Sequence, residues 1–152
     1  MRDRFESFAV SVLELGRQIQ KIKELEMGRL GLKASHTMCL YHLGNHPEGL
    51  TATQLVERCR EDKAAISRSL NQLMERGLVV RETGEGQRAY RCRHYLTPQG
   101  EEMVNRIKDR IGAALSNGGS GLTPEQRETF YRALDLIQEN LAGYLKRMEE
   151  EE

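Results

Sequence analysis

The sequence predicts a mainly α-helical fold carrying one small β-hairpin, and three observations predict it. Long stretches at both ends repeat their apolar residues at steps of three and four. A central segment, Thr51 through Gly77, divides into two short helices around a tight turn. Directly after Gly77 the periodicity changes to the alternation of paired strands.

Each element follows from its own signals. The first helix runs from about Arg4 to about Arg29, with Phe5, Phe8, Val12, Leu15, Ile19, Ile22 and Leu25 forming one apolar stripe. A second helix, from near Ser35 to about Asn45, carries Met38, Leu40 and Leu43 inward and stops before Pro47. The run Asn45-His-Pro-Glu-Gly49 then makes a turn. Thr51 and Gln54 form a T-x-x-Q capping box, in which each side chain satisfies an amide left open at a helix start. Leu55, Val56 and Cys59 share one face of the short helix that follows. Asp62 is the next N-cap. From it, Ile66, Leu70 and Leu73 recur at helical spacing and face inward, while Lys63, Ala64, Ser67, Arg68 and Asn71 point the other way. Gly77 stands where a helix end needs a left-handed residue.

Leu78, Val79 and Val80 read as a strand, Thr83-Gly-Glu-Gly-Gln-Arg88 as a turn, and Tyr90 through Leu96 as the returning strand. Tyr90, Cys92, His94 and Leu96 lie on one of its faces, and Arg91, Arg93 and Tyr95 on the other. Thr97 caps a helix with Pro98 at its first position, whose buried side is expected at Met103, Ile107, Ile111 and Leu115. Asn117-Gly-Gly-Ser-Gly121 interrupts it as a hinge. Thr123 and Gln126 form a second capping box, and Phe130, Leu134, Ile137, Leu141 and Leu145 line one side of the last helix.

The outward face of the helix begun at Asp62 carries groups suited to DNA. Small side chains such as Ala64 and Ser67 allow close approach to bases. Arg68 has the fork that grips guanine, and Asn71 the amide that pairs with adenine. Arg88, near the hairpin tip, suits a minor groove, where negative potential is strong. From Arg58 to Arg93 there are nine Lys or Arg against five Asp or Glu, a net of +4. The whole chain is neutral, with 23 basic and 23 acidic side chains, so the remainder carries −4, much of it in Met148-Glu-Glu-Glu-Glu152. A localised positive surface is what a DNA binder needs, not an overall basic composition.

The segment Ile66-Ser-Arg-Ser-Leu-Asn-Gln-Leu-Met-Glu-Arg-Gly-Leu-Val, the basic hairpin after it, and Leu96-Thr-Pro-Gln-Gly100 together resemble the winged helix-turn-helix of the MarR family of bacterial transcription regulators. The likeness extends over nearly the whole chain, as a long helix precedes the winged unit and two follow it. It departs at the wing tip, where Gly84-Glu-Gly-Gln-Arg88 replaces an Asp- and Arg-rich loop. The resemblance implies one domain over 1–152, with residues 33–100 as the DNA-binding part and 1–32 and 101–152 as helical dimerisation parts. It also implies a small-molecule effector between the dimer helices and the winged unit, with His36 and Cys39 as candidate cleft residues.

On this reading Ser67, Arg68 and Asn71 touch base edges. Thr51, Thr53, Gln54 and Lys63 hold phosphates or fix register, and Ala64 permits close approach. Arg88 enters a minor groove, and Arg91 or Arg93 supports the wing on the backbone. The winged unit is too small to cover all the terminal stripes. A second copy would cover Phe5, Phe8, Val12, Leu15, Ile137, Leu141 and Leu145. The resulting homodimer would place two reading helices about 34 Å apart on an inverted repeat of double-stranded DNA. Binding near a promoter would repress. The alternatives are a monomer whose terminal helices fold back, a winged-helix interaction module that reads no DNA, and a metal- or thiol-gated regulator.

Other chemistry is thin. No segment offers the roughly 20 apolar residues that cross a membrane, and Met1-Arg-Asp-Arg-Phe-Glu lacks the apolar core of a secretory signal. Three cysteines without a C-x-x-C pair suggest no disulfide framework, which fits a reduced cytoplasm. His42 and His46 have metal-ligand spacing, but Pro47 ends the helix and no local carboxylate joins them, so neither metal nor cofactor is expected. Cys39, Cys59 and Cys92 are candidates for oxidation, although Cys59 and Cys92 read as inward-facing packing residues. No catalytic triad, phosphate loop or paired carboxylate points to an enzyme.

Overall fold

The computed structural model describes residues 3, 4, 6–82 and 91–151. A π-helical turn, Glu6–Val10, leads into α1 (Ser11–Arg29). Then come α2 (His36–Asn45), β1 (Leu50–Thr51), α3 (Ala52–Cys59), α4 (Lys63–Glu75), β2 (Val79–Arg81), β3 (Arg93–Leu96), α5 (Pro98–Gly118) and α6 (Pro124–Glu150). The chain forms two compact units, Met1–Gly112 and Ala113–Glu152.

The core of the first unit is built from Met27, Leu30 and Leu32, from Cys39, Leu40 and Leu43 of α2, and from Leu55 of α3. Ile66, Leu70 and Leu73 of α4 join them, as do Val79 of β2 and Val104 and Ile107 of α5. Burying each such aliphatic side chain contributes about 1.5–3 kcal/mol, so α2, α3 and α4 are held as one packed group. The face assignments on α4 hold, with Ile66, Leu70 and Leu73 buried together with Ser69.

The caps form as the sequence requires. The Thr51 Oγ1 accepts from the Gln54 amide at 3.2 Å, and the Gln54 Oε1 accepts from the Thr51 amide at 2.9 Å. The Asp62 carboxylate accepts from the Ala65 amide at 2.7 Å. Gly77 takes φ +72°, the left-handed conformation expected after α4. Thr97 ties three elements together. Its hydroxyl donates to the Gly77 carbonyl at 2.6 Å, its oxygen accepts from the Gly100 amide at 3.0 Å, and its amide donates to the Leu78 carbonyl at 3.0 Å. Gly100 lies so close to Leu78 that a Cβ there would strike the Leu78 carbonyl. The Leu-Thr-x-x-Gly element is therefore a packing joint between β2 and α5.

The sheet has three strands in the order β1-β3-β2, all antiparallel. Leu50 pairs with His94 and Thr51 with Arg93; Val79 pairs with Leu96, Val80 with Tyr95 and Arg81 with His94. The two-residue β1 is absent from the sequence reading, because a pair of residues has no periodicity to detect. Cys92 and His94 are buried and Arg91 is exposed, as the alternation requires. One expectation on α5 is corrected. Its buried positions are Gly100, Val104 and Ile107, with Met103 and Ile111 half-buried, whereas Leu115 is 59 % exposed.

In α1 only Met27 is buried, and Phe8, Val12, Leu15, Ile19, Ile22 and Leu25 are all exposed. In the second unit α6 starts from a complete capping box, Thr123 with Gln126. It buries no residue, and Phe130, Ile137, Leu141 and Leu145 are exposed along it. Phe5 lies outside the described residues.

Candidate nucleic-acid interface

Helix α4 is short, capped by Asp62, and held from behind. Its exposed side carries Lys63, Ala64, Ser67, Arg68 and Asn71, all five open to solvent. These positions step by one, three, one and three residues, which keeps them on a single helical face. The opposite face is fixed to α2 by apolar packing and by two polar contacts. The Ser69 hydroxyl donates to the Ser35 carbonyl at 3.5 Å, and the His36 ring meets the Gln72 side-chain oxygen at 2.8 Å.

The His36 contacts define its tautomer. The Lys33 amide donates to Nδ1 at 3.2 Å, so the proton sits on Nε2 and is donated to Gln72 Oε1. Burial lowers the His36 pKa, the Gln72 bond opposes that, and the charges of Lys33 and Arg76 add to the lowering. A neutral imidazole thus clamps α4 to α2. The Arg76 guanidinium, just past α4, donates to the Gly31 carbonyl and holds the helix's far end.

The other expected DNA contacts divide by what the structure leaves available. Thr53 is exposed on the first turn of α3. Thr51 and Gln54 are half-buried and spend their side chains on each other in the capping box. Arg91 is exposed. Arg93 is half-buried, and its guanidinium donates to the Gly49 carbonyl at 3.0 Å and the Glu48 carbonyl at 3.4 Å, so it straps β3 to the turn before β1. Gly49 has φ +81°, and a Cβ there would meet the Tyr95 ring at 2.6 Å, so this turn requires glycine. Arg88 and the wing tip Gly84–Arg88 lie outside the described residues.

His36 and Cys39 need a correction as cleft residues. They are 1 % and 0 % exposed and belong to the packed interior, because α2 turns them toward α3 and α4. A cleft of about 300 Å³ does open in the first unit, but between the end of α2, β3 and α5. Leu43, Gly44, Tyr95, Leu96, Val104 and Lys108 are among its walls. The sequence reading missed the His36–Gln72 clamp and the Arg93 strap, since both join residues more than thirty positions apart and leave no local pattern.

The other three histidines stand in different surroundings, and among the described residues the buried Nε2 of His42 has no hydrogen-bond partner. A local carboxylate does join His46, contrary to the expectation from the sequence: Glu48 contacts its Nδ1 at 2.8 Å across the Pro47 turn. His94 donates from Nδ1 to the Leu50 carbonyl at 3.3 Å, and burial lowers its pKa. Burial, followed by the charge of Arg58, lowers that of His42. Among the described residues no group of three or more His, Cys, Asp or Glu is placed to hold a metal ion. Among them, too, no helix is long and apolar enough to cross a membrane.

Comparison with known proteins points one way. Residues 30–89, which contain α2, α3 and α4, match the model of the MarR family. A protein of Thauera aromatica, assigned as a transcriptional regulator of the hcr operon, is 30% identical over 106 residues. That match covers 70% of this chain and 56% of the relative, so the chain spans little more than half of that protein's length. The crystal structure of a MarR family transcription regulator superposes with a TM-score of 0.83 at 25% identity, covering 95% of this chain and 94% of its own. A MarR family regulator from Listeria monocytogenes, solved in complex with a 26mer DNA, shares the fold. It has a TM-score of 0.79 at 20% identity, with 97% and 96% of the two chains covered.

Proposed function

We propose that this chain is a transcription regulator of the MarR family, a homodimeric DNA-binding repressor reading an inverted repeat. One observation carries the reading: the only polar, sterically open face of α4 holds Lys63, Ala64, Ser67, Arg68 and Asn71, while its other face is locked to α2. Such a helix enters a major groove as a rigid body. Ser67, Arg68 and Asn71 address base edges, and Lys63 and Thr53 address phosphates. Thr51 and Gln54 fix the helix start, and Arg93 braces the wing from inside the protein. Arg88 and Arg91 are assigned to the flanking backbone and minor groove.

Dimerisation supplies the spacing. The exposed apolar residues of α1 and α6, Phe8, Val12, Leu15, Ile137, Leu141 and Leu145 among them, are covered by a second copy. Occupying a promoter then excludes polymerase. A small effector acts by favouring a dimer whose two heads are wrongly spaced, and the cleft beside Lys108 is the opening available to it. The site of action is the cytoplasm. A winged protein-interaction module fits less well, since the exposed face of α4 presents no Leu, Phe or Tyr of the kind that anchors protein interfaces.

Fluorescence anisotropy with a random duplex tests the reading. Affinity should fall steeply and linearly on logarithmic axes as salt rises, because phosphate contacts release counterions. A protein that ignores duplex at low salt is not a DNA-binding regulator.

A further inference from the structure

Among the described residues five adopt a left-handed backbone, and four of them are glycines: Gly31, Gly49, Gly77 and Gly121. The fifth is Arg60, at φ +53° and ψ +41°. A Cβ makes this conformation unfavourable. After glycine, the residues that tolerate it best are Asn and Asp, whose short side chains bond to the nearby backbone. Arginine brings no such compensation.

The turn itself imposes the conformation. Arg60 is the C-cap of α3. Its amide donates to the Val56 carbonyl, and the Glu61 amide donates to the same carbonyl at 3.4 Å. These bonds close α3 and let the chain turn into α4. Whatever stands at position 60 must therefore be left-handed, and glycine would fill the place without strain. A strained backbone kept for a long cation indicates a use for the cation.

The usual reasons for an arginine at a helix end do not require this one. Arg60 is exposed, so it fills no part of the core. A cation favours a helix C-terminus, but Arg58 already stands in the last turn of α3. Arg60 has a partner within the chain as well, and a guanidinium with five N–H donors can keep one contact while making another.

Position decides what that other contact is. Arg60 comes three residues before Lys63, the first residue of α4, and three residues of extended chain span at most about 11 Å. The major groove is about 12 Å wide, and a reading helix leads into it with its N-terminal residues. A side chain set back from that leading end stands over the phosphates at the rim, not over base edges. The exposed Glu61 and Asp62 lie between the two cations. Their charges repel a duplex, and Arg60 and Lys63 bracket and offset them.

We infer that Arg60 is a phosphate anchor, carried on a left-handed turn so that its guanidinium grips the DNA backbone beside the groove that α4 enters. The anchor rests on the DNA-binding function proposed above. It adds affinity without base preference, because the phosphates are alike along every sequence.

The test compares the full-length protein with Arg60→Gly and Arg60→Lys, by urea unfolding and by anisotropy with duplex DNA over a series of salt concentrations. Arg60→Gly should unfold at an equal or higher urea midpoint, because the turn is relieved. It should nevertheless bind every duplex about fivefold or more weakly, with a logarithmic salt slope shallower by about 0.9 for each bound copy. The bases enriched from a random pool should not change. Arg60→Lys should keep most of the salt slope. A residue that only closes α3 would leave binding unaltered or move stability and binding together. Wild-type affinity and salt slope in Arg60→Gly overturn the anchor, as does an altered base preference. A lowered midpoint also overturns it, since the loss of binding would then lie in the fold. If the unaltered protein binds no duplex at low salt, the DNA-binding function fails and the anchor with it. If it binds and Arg60→Gly matches it, the anchor alone fails.

Discussion

Helices α1 and α4 lie in the same unit, and both are amphipathic, yet they use their exposed faces in opposite ways. In α4 the apolar positions Ile66, Leu70 and Leu73 are consumed by the core, and what remains outside is small, amide or cationic. In α1 only Met27 reaches the core, and what remains outside is Val12, Leu15, Ile19, Ile22 and Leu25. The surplus on each helix indicates its partner. A rigid polar face with Arg and Lys is complete in water and fits a charged, hydrogen-bonding groove. A row of exposed aliphatic side chains carries a hydration cost that a second apolar surface removes. Helix α6 belongs with α1 in this respect, since it buries nothing and exposes Phe130, Ile137, Leu141 and Leu145.

The largest effect expected from breaking this contrast is on α1. Replacing Ile19 by Glu should dissociate the dimer. Each copy loses about 1.5–3 kcal/mol of apolar burial, and two-fold symmetry counts the change twice. Sedimentation velocity should show a monomer with an unchanged helical spectrum; a dimer that persists would remove α1 from the interface. Next comes the joint that holds the wing against α5. Gly100→Ala forces a Cβ onto the Leu78 carbonyl and should cost about 2 kcal/mol or more in stability, read as a lower urea midpoint. An unshifted midpoint would show that the joint yields.

Arg68→Ala sharpens the other side of the contrast. It should cost about 1–3 kcal/mol on the best DNA site and relax base choice at one position per half-site, leaving stability unchanged. A variant with the same base preference would take Arg68 out of the reading role.

The smallest effect is on pH dependence. His36 and His94 have folded-state pKa values lowered by burial, so the unfolded chain binds protons more readily. Their contribution is fully present above the ordinary histidine value of about 6.5 and is lost as pH falls from there toward the lower folded values. Urea midpoints should therefore drop on acidification from neutral pH, and His36→Gln should flatten part of the slope. A midpoint that rises on acidification would contradict the neutral His36 clamp.

What the sequence made legible follows the range of the forces involved. The capping residues Thr51, Asp62 and Thr123, the left-handed Gly77, and the division of α4 into two faces are all set within a few positions, and each reads directly from the chain. Other features, besides the His36–Gln72 clamp and the Arg93 strap, were not legible. Strand β1 has two residues and no period of its own. The burial of Val104 rather than Leu115 depends on where α5 meets the core. The inward placement of His36 and Cys39 depends on α2 being enclosed by α3 and α4, so neither stands at an open cleft. For the interface, solvent exposure supports Lys63, Ala64, Ser67, Arg68 and Asn71 as candidates. It separates them from Thr51, Gln54 and Arg93, whose polar groups are engaged within the fold.

Selection of bound sequences from a random duplex pool tests the central claim most directly, because it reads the α4 face and the pairing of two copies together. The account predicts an enriched inverted repeat whose half-sites lie about one helical turn, roughly 10 base pairs, apart, and loss of base preference within each half-site for Arg68→Ala. Enrichment of a single unpaired half-site, or of no sequence at all, would contradict it.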